Sequence, residues 1–337
     1  MSGPIGYYIH HHGDGHRQRA LTIAKAAPGC FTLLGSGLTG RTEGISYVDL
    51  ADDYSGKIHS ESGIGVGESL HYAPHGHDGI RQRVAVLSDW IMREKPALIV
   101  VDVSVEVAML ARLTSTPMVY VRLSGNRNDP PHLDAFRAAV AVIAPFHRDL
   151  DGPDVAAWVI KKTAYVPGLS RVHGWPILSQ GGILVVGGRG GSPLDLGNLA
   201  AAAAATPDKS WRVIGPVTSQ KNTLPNLVIA GWVENIDEEI ANAGIVVGQA
   251  GDGLVSAVIA AGRPFICLPG ERPFDEQKVK ARRLESLGVA VVLKSWPPAI
   301  EWPGLLRRAQ RLNLNKLRSL HDPDGAARAA TFLKSLL

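Results

Sequence analysis

Three histidines near the amino terminus run into a glycine-rich turn, His10-His11-His12-Gly13-Asp14-Gly15-His16. A strand ending there and a helix opening near His16 would leave backbone amides facing outward, because the glycines permit a tight turn. A histidine so placed titrates near neutral pH and can take a proton from a hydroxyl, which makes His16 the candidate general base. The plainer alternative is that His16 caps the helix. His10 and His11 are read as partly buried strand-end residues. No metal site is assigned: consecutive histidines on a strand point different ways, and no acidic residue stands at ligand spacing.

Other polar groups gather where apolar runs give way to helical ones. In Val100-Val101-Asp102-Val103-Ser104-Val105-Glu106, Asp102 reads either as the carboxylate that orients a histidine or as a turn or N-cap carboxylate. Glu106 reads as a helix-dipole partner. In Ser124-Gly125-Asn126-Arg127-Asn128-Asp129-Pro130, Arg127 would bind an anion and Asp129 would cap the next helix. His71, His75, His77, Arg81 and Arg83 are read as solvated surface, the alternative being a phosphate site beneath a loop. Gly187-Gly188-Arg189-Gly190-Gly191-Ser192 follows an expected strand, so its amides could approach a diphosphate with Arg189 adding charge. It lacks the Lys-Ser/Thr of a P-loop and the downstream acid of a dinucleotide fingerprint. Asp149-Leu150-Asp151 and Asp322-Pro323-Asp324 have Asp-x-Asp form but read as turns.

These groups need elements to hold them. Strands are expected at Ile5–His10, Phe31–Leu34, Leu98–Val103, Met118–Leu123 and Val140–Ala144, with helices at His16–Ala26, Gly79–Glu94, Val105–Leu113 and His132–Ala139. Continuous apolar strands alternating with amphipathic helices imply a parallel sheet covered on both faces. The pattern restarts with strands at Ile183–Val186, Trp211–Ile214, Leu227–Ala230, Ile245–Val247, Pro264–Leu268 and Ala290–Leu293. Helices are expected there at Leu194–Ala205, Ile236–Ala241, Leu254–Ala261, Glu276–Leu287 and Pro303–Leu312, and a last one at Gly325–Leu337. The reading is α/β, two Rossmann-like domains facing a central cleft. They span 1–168 and 169–322, and helix 323–337 is expected to pack back on the first. A linker is expected where Pro167, Gly168, Gly174 and Pro176 cluster, and a long loop at Asp52–His77.

Composition narrows the class. Of 337 residues 45% are hydrophobic and 20% charged, as in ordinary globular proteins, and a net charge of +4 is too small for a nucleic-acid binder. Two distant cysteines, Cys30 and Cys267, exclude a disulfide framework and point to a reducing compartment. The first residues do not read as a signal peptide, and the richest apolar window, Gly253–Cys267, is broken by Gly262 and Pro264.

The most specific stretch is Gly231-Trp232-Val233-Glu234-Asn235, then Val247-Gly248-Gln249-Ala250-Gly251-Asp252-Gly253, Gly262-Arg263-Pro264, Leu268-Pro269 and Asp275-Glu276-Gln277. This order of motifs resembles the C-terminal domain of GT-B glycosyltransferases, most closely family 28, over about Gly181–Leu293. In the first domain the likeness rests on Gly13-Asp14-Gly15-His16. The resemblance implies that the turns at Gly188, Arg189, Gly190 and at Gly251, Asp252, Gly253 wrap a donor diphosphate, with Gln249 beside them. It implies that Val233 meets the base through its backbone, and that Glu276 and Gln277 hold the donor sugar. His16 would be base or acceptor contact, and Asp102 its charged partner. Gly13, Asp14, Gly15 and Arg127 would face the acceptor. Two departures stand out: the ribose-gripping Glu of the family is Ala257 here, and the preceding Thr is Leu254, with Asp252 or Ser256 able to compensate.

The implied activity is an inverting transfer of a sugar from a nucleotide diphosphate sugar, a UDP-sugar, without metal or other cofactor. The acceptor would be either lipid-linked or a small molecule. Alternatives are a nucleotide-sugar hydrolase or epimerase on the same scaffold, or a non-catalytic nucleotide-sugar binder. The expected location is the cytoplasm, with peripheral contact at the inner face of the plasma membrane as a variant. Trp90, Ile91, Met92, Arg93 and Lys95 would supply that contact if they are not simply a packed helix face.

Overall fold

Runs such as Leu98-Ile99-Val100-Val101 are apolar at every position because both of their faces are covered, as a parallel sheet between helix layers requires. The computed structural model describes residues 3–11, 14–53, 69–170, 181–188, 191–219, 221 and 224–337. The first lobe contains, in order, β1 (Ile5–Tyr8), α1 (Asp14–Lys25), β2 (Phe31–Gly35), β3 (Tyr47–Asp49), α2 (Asp78–Glu94) and β4 (Leu98–Asp102). It continues with α3 (Val105–Leu113), β5 (Met118–Val121), α4 (Pro130–Ala138), β6 (Ala141–Ala144), α5 (Ala157–Lys162) and β7 (Thr163–Tyr165). The second lobe contains β8 (Ile183–Val186), α6 (Leu196–Ala204), β9 (Trp211–Ile214), β10 (Leu227–Gly231), α7 (Ile236–Asn242) and β11 (Ile245–Gly248). Then come α8 (Asp252–Ala261), β12 (Phe265–Cys267), α9 (Glu276–Ser286), β13 (Val291–Val292), α10 (Trp302–Gln310), α11 (Leu314–Arg318) and α12 (Gly325–Lys334).

The first sheet has the order β3-β2-β1-β4-β5-β6-β7 and the second β10-β9-β8-β11-β12-β13, every pair parallel. Strand order reverses between β1 and β4 and between β8 and β11. Loops leaving adjacent strands at such a point diverge and open a crevice at the carboxyl ends. That geometry decides which loops can form a site: those after β1 and β4 in one lobe, and those after β8 and β11 in the other. Tyr7 and Val100 face one core layer while Tyr8 and Val101 face the other, as the strand period of two demands.

The expected strands are present with ends shifted by no more than two residues, β2, β10 and β11 running one residue further than read, and α1 begins two residues earlier than read, so Gly15 and His16 lie inside its first turn. Unforeseen were β3, β7, α5 and α11. β3 and β7 are three-residue edge strands without fully buried residues, so they carry no continuous apolar signature. Ala329, Ala330 and Leu333 of α12 join Leu21 and Ile23 of α1 in the first lobe's core. Where the chain crosses back, Gly168 has φ +85° and a Cβ on it would lie 1.7 Å from the Asp322 carbonyl oxygen; one on Gly325 would lie 1.8 Å from that of Pro167. Only glycines let these backbones pass so closely. Among the described residues no helix is long and apolar enough to cross a membrane. Trp90 and Ile91 are buried, whereas Met92, Arg93 and Lys95 of the same run are exposed, so the stretch is a packed helix face with a solvated, basic edge.

Candidate active site

The site begins where β4 ends. Asp102, its last residue, is fully buried, and the next residue, Val103, has φ +56°. A β-branched side chain is strained there, and the strain turns the chain sharply out of the sheet into α3, capped by Ser104. Asp102 Oδ1 lies 3.0 Å from His16 Nδ1. The same carboxylate accepts from Arg19 Nε at 3.0 Å and Nη2 at 3.1 Å, and from the Tyr7 hydroxyl at 3.5 Å. Burial pushes this carboxyl up, but the charges and hydrogen bonds of Arg19 and His16 outweigh it and hold it at about 2. His10, whose ring centroid is 5.5 Å from that of His16, is lowered to about 3 by burial and then by the charges of His16 and His11. It is therefore neutral at ordinary pH. His11 Nδ1 meets Asp53 at 2.8 Å.

Of the residues expected around this turn, Gly13 lies outside the described residues. Gly15 is exposed with open space beside it. Asp14, expected to face an acceptor, is instead turned onto its own surroundings, accepting from Arg17, Gln18 and Arg41 at 2.7–3.0 Å. Arg19 was missed, although it stands one helical turn from His16 and so on the same face.

In the second lobe Arg189 and Gly190 lie outside the described residues, and Gly188 is exposed at the end of β8's turn. Gln249 packs between two glycine turns: a Cβ on Gly191 would lie 3.1 Å, and one on Gly270 3.0 Å, from its Nε2. Gln277 is 4% exposed and its Oε1 accepts from the Gly270 amide at 2.8 Å. A Cβ on Gly251 would lie 3.8 Å from Gln277 Nε2. Gly188, Gly191, Gln249, Gly270, Gln277 and Gly251 thus border one region. Gly251 is the N-cap of α8 and offers no side-chain cap, so the first amides of that ten-residue helix stay available to an anion. Val233 is half-buried against the core, and Gly253 has open space beside it.

Asp252, expected to touch the donor or to replace the missing ribose ligand, is engaged by protein. Its Oδ1 pairs with Lys280, which is 1% exposed, and its Oδ2 is 3.8 Å from Arg19 Nη1 across the cleft. Burial opposes its ionisation, but Lys280 and Arg19 hold the carboxyl below the usual carboxylate range. Ala257 faces the core at 3% exposure. Ser256 lines the interlobe crevice with His147, Asp252 and Lys280.

The largest difference from the sequence expectation concerns Arg127. Rather than waiting for an anionic acceptor, its buried guanidinium donates to Glu276 Oε2 at 3.2 Å, to the Leu123 and Ser124 carbonyls, and to His132 Nε2 at 3.1 Å. Glu276, expected on the donor sugar, is thereby tied to the first lobe. Beside it, Phe274 and Asp275 both have positive φ, 60° and 51°. The Phe274 ring centroid lies 4.7 Å from that of His132, 5.1 Å from that of His71 and 5.1 Å from Arg127 Cζ. The Phe274 carbonyl accepts from the Asn126 amide at 2.7 Å. The 273–276 turn is thus a latch between lobes, invisible in the sequence because it joins positions 149 apart.

His71 and the buried His132 flank Asp129, each ring nitrogen 2.6 Å from a different carboxylate oxygen. Their ligand atoms lie within 4.8 Å of one another, as a metal site would need. However, Arg127 has no acceptor atom, so its bond makes His132 Nε2 the acceptor and leaves the ring proton on Nδ1, donated to Asp129. No lone pair remains there for a metal. The expected solvated surface is also revised: Arg83 is buried against the Tyr8 hydroxyl, Ser36 Oγ and Asp53, and His77 caps α2. Asp129 caps α4 as read. Glu106, read as a dipole partner, accepts from the His71 and Tyr72 amides at 2.8 Å.

Residues 210–319 match the glycosyltransferase family 28 C-terminal domain. Among solved structures, Acinetobacter baumannii MurG is similar at TM-score 0.68 and 16% identity, covering 99% of this chain and 100% of that one. The calicheamicin glycosyltransferase CalG4 is similar at TM-score 0.68 and 16% identity, covering 100% and 99%. SnogD from Streptomyces nogalater is similar at 0.63 and 14%, covering 100% of both. No curated protein matches the sequence. The second lobe thus carries a match to the family 28 C-terminal domain over residues 210–319, and along its whole length the chain has the GT-B fold of these glycosyltransferase structures.

Proposed function

We infer that the chain transfers a sugar, with inversion, from a nucleotide diphosphate sugar of the UDP class to an acceptor hydroxyl. The observation that carries the reading is His16 Nδ1 at 3.0 Å from Asp102, on a helix whose Arg19 faces the first turn of α8. With Nδ1–H donated to Asp102, Nε2 keeps a lone pair. The acceptor oxygen attacks the anomeric carbon, its proton passes to His16 Nε2, and the bond from that carbon to the diphosphate oxygen breaks. The uncapped amides of Gly251–Gly253 and the glycine turns after β8 and β12 stabilise the departing diphosphate. Gln277 and Gln249 support these turns. In this reading their side chains would also contact the donor sugar.

Ala257 removes one bidentate ribose acceptor, a loss of about 1–3 kcal/mol in donor binding. Ala257 itself is buried in the core. MurG-like structures support a donor and an acceptor, and the exposed Met92, with the exposed Arg93 and Lys95 beside it, would make the contact with a membrane surface. The test is a thermal-shift panel of nucleotide sugars followed by transfer assays with His16→Ala. A UDP-sugar should raise the midpoint by mass action, and His16→Ala should keep donor binding while losing about 10²–10⁴-fold in rate. Transfer at full rate by His16→Ala would remove the base. Stoichiometric release of free sugar from donor alone would replace transferase with hydrolase.

A further inference from the structure

The His16 ring has two competing partners at one nitrogen. Nδ1 is 3.0 Å from Asp102 Oδ1 and also 3.0 Å from Arg19 Nη2. A neutral imidazole nitrogen is a donor or an acceptor, never both. If Nδ1 donates to Asp102, Nε2 is free to accept a proton. If Arg19 donates to Nδ1, the ring proton must sit on Nε2 and the outward nitrogen is no longer a base. What holds Arg19 away from the ring therefore decides whether the base is usable.

Arg19 is 6% exposed and has two carboxylates to share. One is Asp102, in its own lobe. The other belongs to the opposite lobe: Asp252 Oδ2, at 3.8 Å from Nη1. That oxygen is buried and has no hydrogen-bond partner among the described residues, while Oδ1 of the same carboxylate is occupied by Lys280. An approach of less than 1 Å would convert a bare ion pair into a charge-assisted hydrogen bond. The groups facing His16 are Asp102 from β4, Arg19 from its own helix, His10 from the end of β1 and Asp252 from α8.

We propose that Arg19 is a positioning residue that selects the His16 tautomer, and that Asp252 of the donor lobe sets the selection. With the lobes engaged, Asp252 draws Arg19 toward α8, Nδ1 donates to Asp102, and Nε2 becomes the proton acceptor. With Asp252 withdrawn, Arg19 donates to Nδ1 and the ring is disarmed. A transferase so built exposes an active base only when its donor lobe is seated, which limits the activation of water against a donor held in an open cleft. The proposal rests on His16 as base and adds what switches it on.

The experiment reads proton location directly. Full-length protein labelled with ¹⁵N-histidine is examined at pH 8.5, and His16→Gln assigns the His16 ring signals by their disappearance. Wild type should show the Nδ1–H tautomer. Asp252→Asn, which cannot hold the guanidinium charge, should move the tautomer ratio toward Nε2–H by fivefold or more. Adding Arg19→Met to Asp252→Asn should restore Nδ1–H, because the competitor is gone. Lys280→Met, which leaves both Asp252 oxygens to Arg19, should deepen the Nδ1–H preference and serves if Asp252→Asn does not fold. An unchanged ratio in Asp252→Asn, a double variant that fails to revert, or a shift toward Nε2–H in Lys280→Met would each overturn the proposal. Ring spectra report the proton whether or not His16 is the base, so transfer retained by His16→Ala would end the base reading while leaving this result standing.

Discussion

Asp102→Asn tests whether the buried carboxylate is the electrostatic centre of the first lobe. The carboxyl falls from its ordinary 3.8 to about 2 in the folded chain, because Arg19 and His16 overcome the cost of burial. A carboxylate depressed by folding stabilises the protein above its unfolded pKa, and the benefit is lost as pH falls through the folded value. The window therefore runs from about pH 4 down to about pH 2. The drop corresponds to about 2 kcal/mol, of which about 1 kcal/mol has gone by pH 3. The substitution does more than cancel that contribution at neutral pH, since it leaves Arg19 buried without its main anion, a loss of about 3–5 kcal/mol. Urea unfolding followed by tryptophan fluorescence, wild type against Asp102→Asn at constant ionic strength, gives the difference at pH 7, 5 and 3. Using the variant as reference removes most other titrating groups. The gap should be about 3–5 kcal/mol at pH 7 and 5 and about 1 kcal/mol smaller at pH 3. A gap below 1 kcal/mol at pH 7, or one that widens toward pH 3, would refute the reasoning.

The remaining predictions probe the latch and the histidines. Arg127→Met should destabilise by about 2–4 kcal/mol and enlarge the radius of gyration in solution scattering, because Glu276 loses its partner at 3.2 Å; adding Glu276→Leu should recover part of the loss, and strict additivity would show that the two do not interact. Gly125→Ala places a Cβ 2.5 Å from the Phe274 carbonyl at φ +113°, so thermal unfolding should report about 1–3 kcal/mol lost, whereas an unshifted midpoint would mean the 273–276 turn is not docked in solution. His10 is lowered to about 3 by burial; a histidine kept neutral by folding contributes stability above its unfolded pKa that is lost as pH falls toward 3. His10→Gln should thus flatten the wild-type decline between pH 7 and pH 4 by about 2–3 kcal/mol in urea titrations; a decline of equal slope in both proteins would contradict it.

The alternation of apolar runs with amphipathic ones, read residue by residue, was enough to predict two parallel sheets, because strands buried on both faces leave an uninterrupted apolar signature. Glycine turns at Gly187–Gly188 and Gly251–Gly253 were legible for a similar reason: they follow apolar runs and precede helical ones, and that position is local. His16 and Asp102 were also visible as residue types at strand ends. The sequence left open which groups would meet. Asp102 lies 86 positions from His16, and Arg127 lies 149 from Glu276; their pairing depends on strand order and on how the lobes seat. The partners of Arg127, the role of Phe274 and the sharing of Arg19 between Asp102 and Asp252 are products of that seating. Local pattern determines where a strand ends and what side chain stands there. Burial then makes each charge seek an opposite one, and only the tertiary structure decides which opposite charge is within reach.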